Sequence, residues 1–252
     1  MTKLAELIRH AMRVSSTPMG FAPAAAKSPP TILLLAFAGE RWKQAVADAG
    51  SAGADAVVLA NKPNDKEIAE AIEAAGGRPC GILAPDGDQL ERLRAAGADF
   101  VVLEPEAPAS ALQDEKLTLL LRLRQELTDV QLRTVDALPV AALYVEREPG
   151  PITISRQMEL QRISGLSRKP LALRVQPDAQ QQDLLALREA GVALLAVDMK
   201  ERDAAGVLRH LRGVIDALPR RKESRREQGP RVTIPGAAAS SAEEEGDEDD
   251  DE

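Results

Sequence analysis

Aromatic side chains are scarce in this chain: Trp42, Tyr144, Phe21, Phe37 and Phe100 are the whole set in 252 residues. A core must therefore be built from Leu, Val, Ile and Ala, which suits a barrel interior filled by layers of aliphatic side chains. The same scarcity argues against single-stranded nucleic-acid binding, which stacks bases on aromatic rings. Cysteine is limited to Cys80, so there is no disulfide framework and no cysteine zinc site. No apolar run approaches the roughly 20 residues that span a bilayer. Met1 to Ser16 lacks the continuous apolar core of a signal peptide. The expectation is a cytoplasmic protein with no membrane contact.

Charge is abundant but unevenly placed. Residues 243–252 hold nine of the 40 acids, so elsewhere 31 acids face 32 Lys and Arg and the body is close to neutral. Arg220, Arg221, Lys222, Arg225, Arg226 and Arg231 form a basic stretch just ahead of that acidic run. Such segments bury too little apolar surface to order themselves, so 219–252 is expected to be a disordered tail. The basic stretch could meet a nucleic acid, but the adjacent acids would compete with phosphates at high effective concentration, which makes that partner unfavourable.

The most informative pattern is a repeated junction. Ala52-Gly53-Ala54-Asp55 leads into Ala56-Val57-Val58-Leu59, and Ala96-Gly97-Ala98-Asp99 leads into Phe100-Val101-Val102-Leu103. A looser copy, Ala190-Gly191-Val192-Ala193, leads into Leu194 to Asp198. Glycine just past a helix takes the left-handed cap at no steric cost, and a short apolar run reads as a strand buried on both faces. Strands are expected at 31–37, 55–60, 80–84, 99–104, 117–123, 140–145, 171–175 and 193–198. Helices are expected at 40–52, 64–75, 88–96, 125–138, 155–163, 179–190 and 203–218. Only Pro105 to Lys116 joins the fourth strand to the fifth, room for one or two helical turns over 109–114. Ahead of the first strand, Leu4, Leu7, Ile8, Ala11 and Met12 line one face of an amphipathic helix. Pro-rich residues 15–30 follow it as a linker. The organisation is thus 1–30, a body over 31–218, and the tail 219–252.

Over 31–218 the junctions and the strand count resemble the aldolase-type TIM barrels, a superfamily with many lyases, isomerases and phosphate-binding enzymes. The resemblance implies a closed (β/α)8 barrel with a shortened fourth helix and an active site at the carboxyl ends of the strands. A flavodoxin-like or Rossmann open sheet is the alternative, and eight strands without an extra domain favour closure.

Several devices of such enzymes are missing. The turns after the seventh and eighth strands read Gln176-Pro177-Asp178 and Met199-Lys200-Glu201, without the glycines that hold phosphate. The sixth strand carries no lysine for a Schiff base. His10 and His210 fall in the first and last helices, away from the strand ends. No pattern for a cofactor or a metal is found; Asp86-Gly87-Asp88 reads as a turn and helix cap.

What the strand ends do carry is alternating charge: Glu104, Arg122, Glu146, Arg174 and Asp198. Adjacent strands lie about 4.8 Å apart, so these charges could pair around half the mouth. As a catalytic set, Glu104 or Glu146 is the general base, Arg122 and Arg174 hold an anionic substrate, Asp198 is a further substrate-binding residue, and Lys62 is an acid or electrostatic stabiliser. As a purely structural set, they neutralise one another and plug a mouth no longer used. The missing devices favour the second: a degenerate, non-catalytic barrel acting as a binding or scaffold module. The alternative is a small-molecule lyase or isomerase using these carboxylates and arginines.

Smaller features have plain expectations. Asn64 or Asp65 caps the helix that follows, Cys80 is a packed thiol, and Trp42 belongs to the core or an interface. The Leu4–Met12 helix plugs the barrel floor or binds a protein partner, as the charged tail could also do. The short fourth connection should leave Val101, Leu103, Leu119 and Leu121 poorly covered, a gap filled by the first helix or by a second copy in a homodimer.

Overall fold

Eight parallel strands close on themselves in sequence order, β1 (Leu33–Ala38), β2 (Ala56–Leu59), β3 (Cys80–Leu83), β4 (Phe100–Leu103), β5 (Thr118–Leu123), β6 (Ala142–Val145), β7 (Leu171–Arg174) and β8 (Val192–Asp198). The computed structural model describes residues 2–12, 31–61, 63–83, 89–200 and 203–219. The expected tail and the 15–30 linker fall outside these, apart from Pro219. Closure is made by β8 against β1, with Leu33 level with Leu194 and Phe37 with Asp198. Outside lie α2 (Trp42–Ser51), α3 (Asp65–Ala74), α4 (Gln89–Ala96), α5 (Asp129–Asp136), α6 (Ile154–Ser167), α7 (Gln181–Glu189) and α8 (Ala204–Asp216). Among the described residues no helix is long and apolar enough to cross a membrane.

The glycine junctions set the helix-to-strand turns. Gly53, Gly97 and Gly191 have φ of +90°, +86° and +93°. At the first two, Ala54 N–H donates to Ala49 O and Ala98 N–H to Leu93 O, each at 3.0 Å, which satisfies carbonyls that the helix end leaves open. The two aspartates that follow do different work. Asp55 accepts from Leu34 N at 2.7 Å and pairs with Arg212 of α8, tying β1, β2 and the last helix together. Asp99 accepts from Lys3 N and Leu4 N, both at 2.8 Å.

That second contact seats α1 (Lys3–Met12) beneath the barrel. Its Leu4, Ile8 and Ala11 join the interior cluster of Leu33, Leu35, Phe37, Phe100, Val102 and Tyr144. The helix is the floor plug, and it does not fill the gap beside β4. The interior is packed by pairing large with small: a Cβ on Gly81 of β3 would come within 2.5 Å of both the Phe100 ring and the Phe100 carbonyl. Alternate residues of the strands, such as Leu34, Val57, Val101, Leu143 and Leu195, form the outer layer under the helices.

Two helices depart from expectation. α6 runs four residues past Ile163 to Ser167, and α5 starts at Asp129 rather than Gln125. Asn64 caps α3 in a reciprocal pair with Glu67, and Trp42 is buried in the core. Between β4 and β5 there is only a 3-10 turn, Ala109–Gln113. The strand faces beneath it are less exposed than anticipated: Val101, Leu103 and Leu119 are buried, and Leu121 alone of the four is half-buried. The gap takes the form of an apolar groove.

Candidate functional site at the barrel mouth

Period-2 alternation decides which strand-end residues look inward. Phe100 and Val102 face the interior, so Glu104 follows them, and by the same rule Arg122 follows Leu120, Glu146 follows Tyr144, and Arg174 follows Ala172. All lie at the carboxyl end, where the next turns begin.

The register then selects the partners. Leu103 is level with Leu121, which places Glu104 beside Arg122; Arg122 is level with Tyr144, one inward layer below Glu146. The Arg122 guanidinium bridges both acids, donating from Nη1 to Glu104 Oε1 at 2.6 Å and from Nη2 to Glu146 Oε1. Arg124, two residues on and sharing the inward parity, closes the set from above. Its Nη2 lies 3.1 Å from Glu104 Oε1 and its Nε 3.2 Å from Glu146 Oε2. Two carboxylates and two guanidiniums thus form a neutral quartet.

The electrostatics follow from that geometry. Burial acts to raise the Glu146 pKa, but the Arg122 hydrogen bond and the charges of Arg122, Arg124 and Arg174 outweigh it and hold the carboxyl below the ordinary glutamate value. Glu146 is therefore ionised and a weak base. For Arg122, burial would favour loss of the proton, and bonds to Glu146 and Glu104 reverse this, so its pKa is raised. Glu104 keeps one oxygen, Oε2, buried and without a partner.

Arg174 and Asp198 do not join the quartet, so the alternating charges pair only from β4 to β6. Arg174 is level with Glu146 by extension of the β6–β7 register, yet Glu146 is already held by two arginines. Arg174 makes no ion pair within 4 Å among the described residues, and its Nε is buried without a partner. It lies beside the buried Tyr144 hydroxyl, which also lacks a hydrogen bond of good geometry. Burial raises the Tyr144 pKa, with Arg174 opposing. The Tyr144 ring stacks on Phe37 with centroids 5.2 Å apart and 27° between planes, which closes the barrel below the mouth. Asp198 accepts from Lys200 N at 3.0 Å and makes no ion pair among the described residues. Lys62, like Asp86-Gly87-Asp88, lies outside the described residues.

Tyr144 is absent from the strand-end reading, and Arg124, which that reading places with Arg122 at the end of the fifth strand, is given no role in it. Both carry the signal that would have placed them, since each sits two residues from a residue already assigned inward. Elsewhere, burial and then the Asp99 charge push the Cys80 thiol up to about 12, so it stays protonated and packed. Among the described residues no group of three His, Cys, Asp or Glu stands close enough to hold a metal ion.

No family model matches the chain, and no curated protein matches it. Solved structures do. Thiamine phosphate pyrophosphorylase from Pyrococcus furiosus is 16% identical, with 74% of this chain and 96% of that one covered, at a TM-score of 0.57. A 3-hexulose-6-phosphate synthase is 16% identical, covering 73% and 99%, at 0.55. The 3-keto-L-gulonate-6-phosphate decarboxylase from Vibrio cholerae is 12% identical, covering 73% and 97%, at 0.58. Identities this low speak for architecture only, and with the closed eight-stranded parallel sheet they establish that this chain has the (β/α)8 TIM-barrel fold seen in those aldolase-type barrels.

Proposed function

We propose that the protein is a small-molecule enzyme of the lyase or isomerase type, taking a small carboxylate substrate at the barrel mouth. The observation that carries this reading is Arg174. A half-buried guanidinium that makes no ion pair within 4 Å among the described residues, set beside a quartet that is already neutral, leaves unpaired donors for an anion. The structural neighbours support it at the level of fold, since those named above carry enzyme names. Their names include phosphate; here the turns after β7 and β8 lack glycine, so the planar fork of Arg174 fits a carboxylate better than a phosphate cradle would.

The roles shift from the sequence expectation. Arg122 is consumed by two carboxylates and serves to position Glu104, and Arg174 alone anchors the substrate. Glu146, held ionised, is the counter-ion that fixes Arg122. Glu104, with one free oxygen, is the general base. The second reading, a binding or scaffold barrel without catalysis, rests on the quartet itself, because ion pairing satisfies three of the four carboxylate oxygens.

The test is calorimetric titration of small 2-oxo and 2-hydroxy acids into wild type and Arg174→Met. A carboxylate that binds wild type and not the variant supports the site; no binding by any acid, or equal binding to both proteins, overturns it. Exchange in heavy water of the C2 proton of a 2-hydroxy acid or the C3 proton of a 2-oxo acid, lost in Glu104→Gln, then separates the enzyme from a binding module.

A further inference from the structure

Among the described residues three large hydrophobic side chains are exposed: Val130 at 70%, Ile154 at 79% and Met158 at 65%. They are not scattered. Val130 is in the first turn of α5, and Ile154 and Met158 are one turn apart on the first half of α6. The two helices pack together, with Arg162 of α6 donating to Asp129 at 2.8 Å and to Leu127 O at 2.9 Å. On the other side of α5 lies the groove left by the short β4–β5 connection. It has a volume of about 360 Å3 and is lined by Leu103, Leu112, Leu121, Leu127, Val135 and Leu138. Helices of a parallel barrel start at the mouth end, so the ridge, Val130 and the end of the groove at Leu103 and Leu127 share one height, and the groove runs on to Leu138 past the C-terminal end of α5.

We infer that this face is a two-fold interface between copies of the chain, with the Ile154–Met158 ridge of each seated in the β4–β5 groove of the other. The argument is geometric. Groove and ridge flank α5 on opposite sides. A two-fold axis parallel to the barrel axis and running along α5 preserves height and exchanges the sides, so each groove meets the opposing ridge. Val130, next to the axis, meets its own symmetry mate. Any other partner would need a groove and a ridge of its own in the complementary order; the chain supplies both. Every contact is made twice, which helps such a face reach the roughly 1,200–2,000 Å² of a stable interface. The groove's upper rim includes Glu104 at the end of β4, so this face adjoins the mouth; the test below reads association and not carboxylate binding, which keeps the two readings distinguishable.

The test is sedimentation of the full chain with three single substitutions. Wild type is expected as a dimer at micromolar concentration. Met158→Glu, which replaces an exposed side chain and so leaves the fold intact by circular dichroism, is expected to weaken the dimer by about tenfold or more. Ile154→Glu is expected to do the same. Val130→Cys is expected to cross-link two copies on oxidation, while the buried Cys80 does not. A wild type that stays monomeric at high-micromolar concentration overturns the inference, as does a dimer that survives Met158→Glu or fails to cross-link through Val130→Cys. A monomer that takes up an apolar dye in the groove also overturns it, and assigns the groove to a small ligand.

Discussion

The Asp99 carboxylate lies 2.8 Å from the amide nitrogen of Leu4, and through that bond the second glycine junction of the barrel caps the helix that closes its floor. Asp99→Ala is expected to cost about 0.5–2 kcal/mol, the range for losing a helix cap. Leu4 is fully buried, so Leu4→Ala is expected to cost more, about 2–5 kcal/mol. Urea unfolding of the two variants checks the order. If Asp99→Ala matches wild type, the cap is not holding α1.

Gly81 offers a sharper test of the interior. Gly81→Ala puts a methyl group within 2.5 Å of the Phe100 ring and of its carbonyl oxygen. Overpacking of this kind typically costs about 1–3 kcal/mol. Phe100→Leu removes the ring contact and leaves the backbone contact. The double variant is therefore expected to recover part of the loss and not all of it, a non-additivity that a double-mutant cycle measures directly.

The quartet gives stability a defined dependence on acid. Glu146 has a folded pKa below its ordinary value, with burial opposing and the arginines prevailing. A depressed carboxylate contributes stability that is present above its unfolded value, about 4.3, and is lost as pH falls through the folded value. Glu146→Gln is expected to destabilise the protein at pH 7 by about 1.5–3 kcal/mol, the range for a hydrogen bond to a charged group. That difference should shrink towards zero under acid, below the ordinary carboxylate range. A gap between wild type and variant that is constant with pH removes Glu146 from the linkage.

Much of the barrel was legible because its signals are local. A glycine past a helix end needs positive φ, and Gly53, Gly97 and Gly191 have it, so the strands that follow were placed within a residue or two. Helix ends without such a mark were misplaced. α6 continues through Gly165 and stops at Arg168, which takes the left-handed conformation at φ +51° without being glycine. α5 begins where Thr128 and Gln131 cap each other, a signal that stands in the sequence three residues past the expected start at Gln125. At the mouth, the alternating charges at the strand ends put Glu104, Arg122 and Glu146 on one list, and the structure pairs them. What the alternation could not supply was height: the stagger between β5 and β6 lets Arg122 reach Glu146, and the place that Arg174 would have taken beside Glu146 is filled by Arg124.

Tyr144 separates a structural role from a ligand-binding one. Its ring is 1% exposed and stacks on Phe37, but its hydroxyl has no hydrogen-bond partner of good geometry. A buried hydroxyl that meets its polar neighbour, Arg174, in poor geometry has lost its hydration and gained little in return, so deleting it removes a penalty. Tyr144→Phe keeps the stacked ring and is expected to leave stability within about 1 kcal/mol of wild type, or to raise it. Arg174 lies directly beside this hydroxyl, and a carboxylate drawing that guanidinium towards itself would lean on the hydroxyl's dipole from below. The same variant is therefore expected to weaken carboxylate binding while Tm holds or rises. Calorimetric titration and a thermal melt on one preparation decide it: a large drop in Tm would mean that the hydroxyl is bonded in solution, and unchanged affinity would mean that it takes no part in binding.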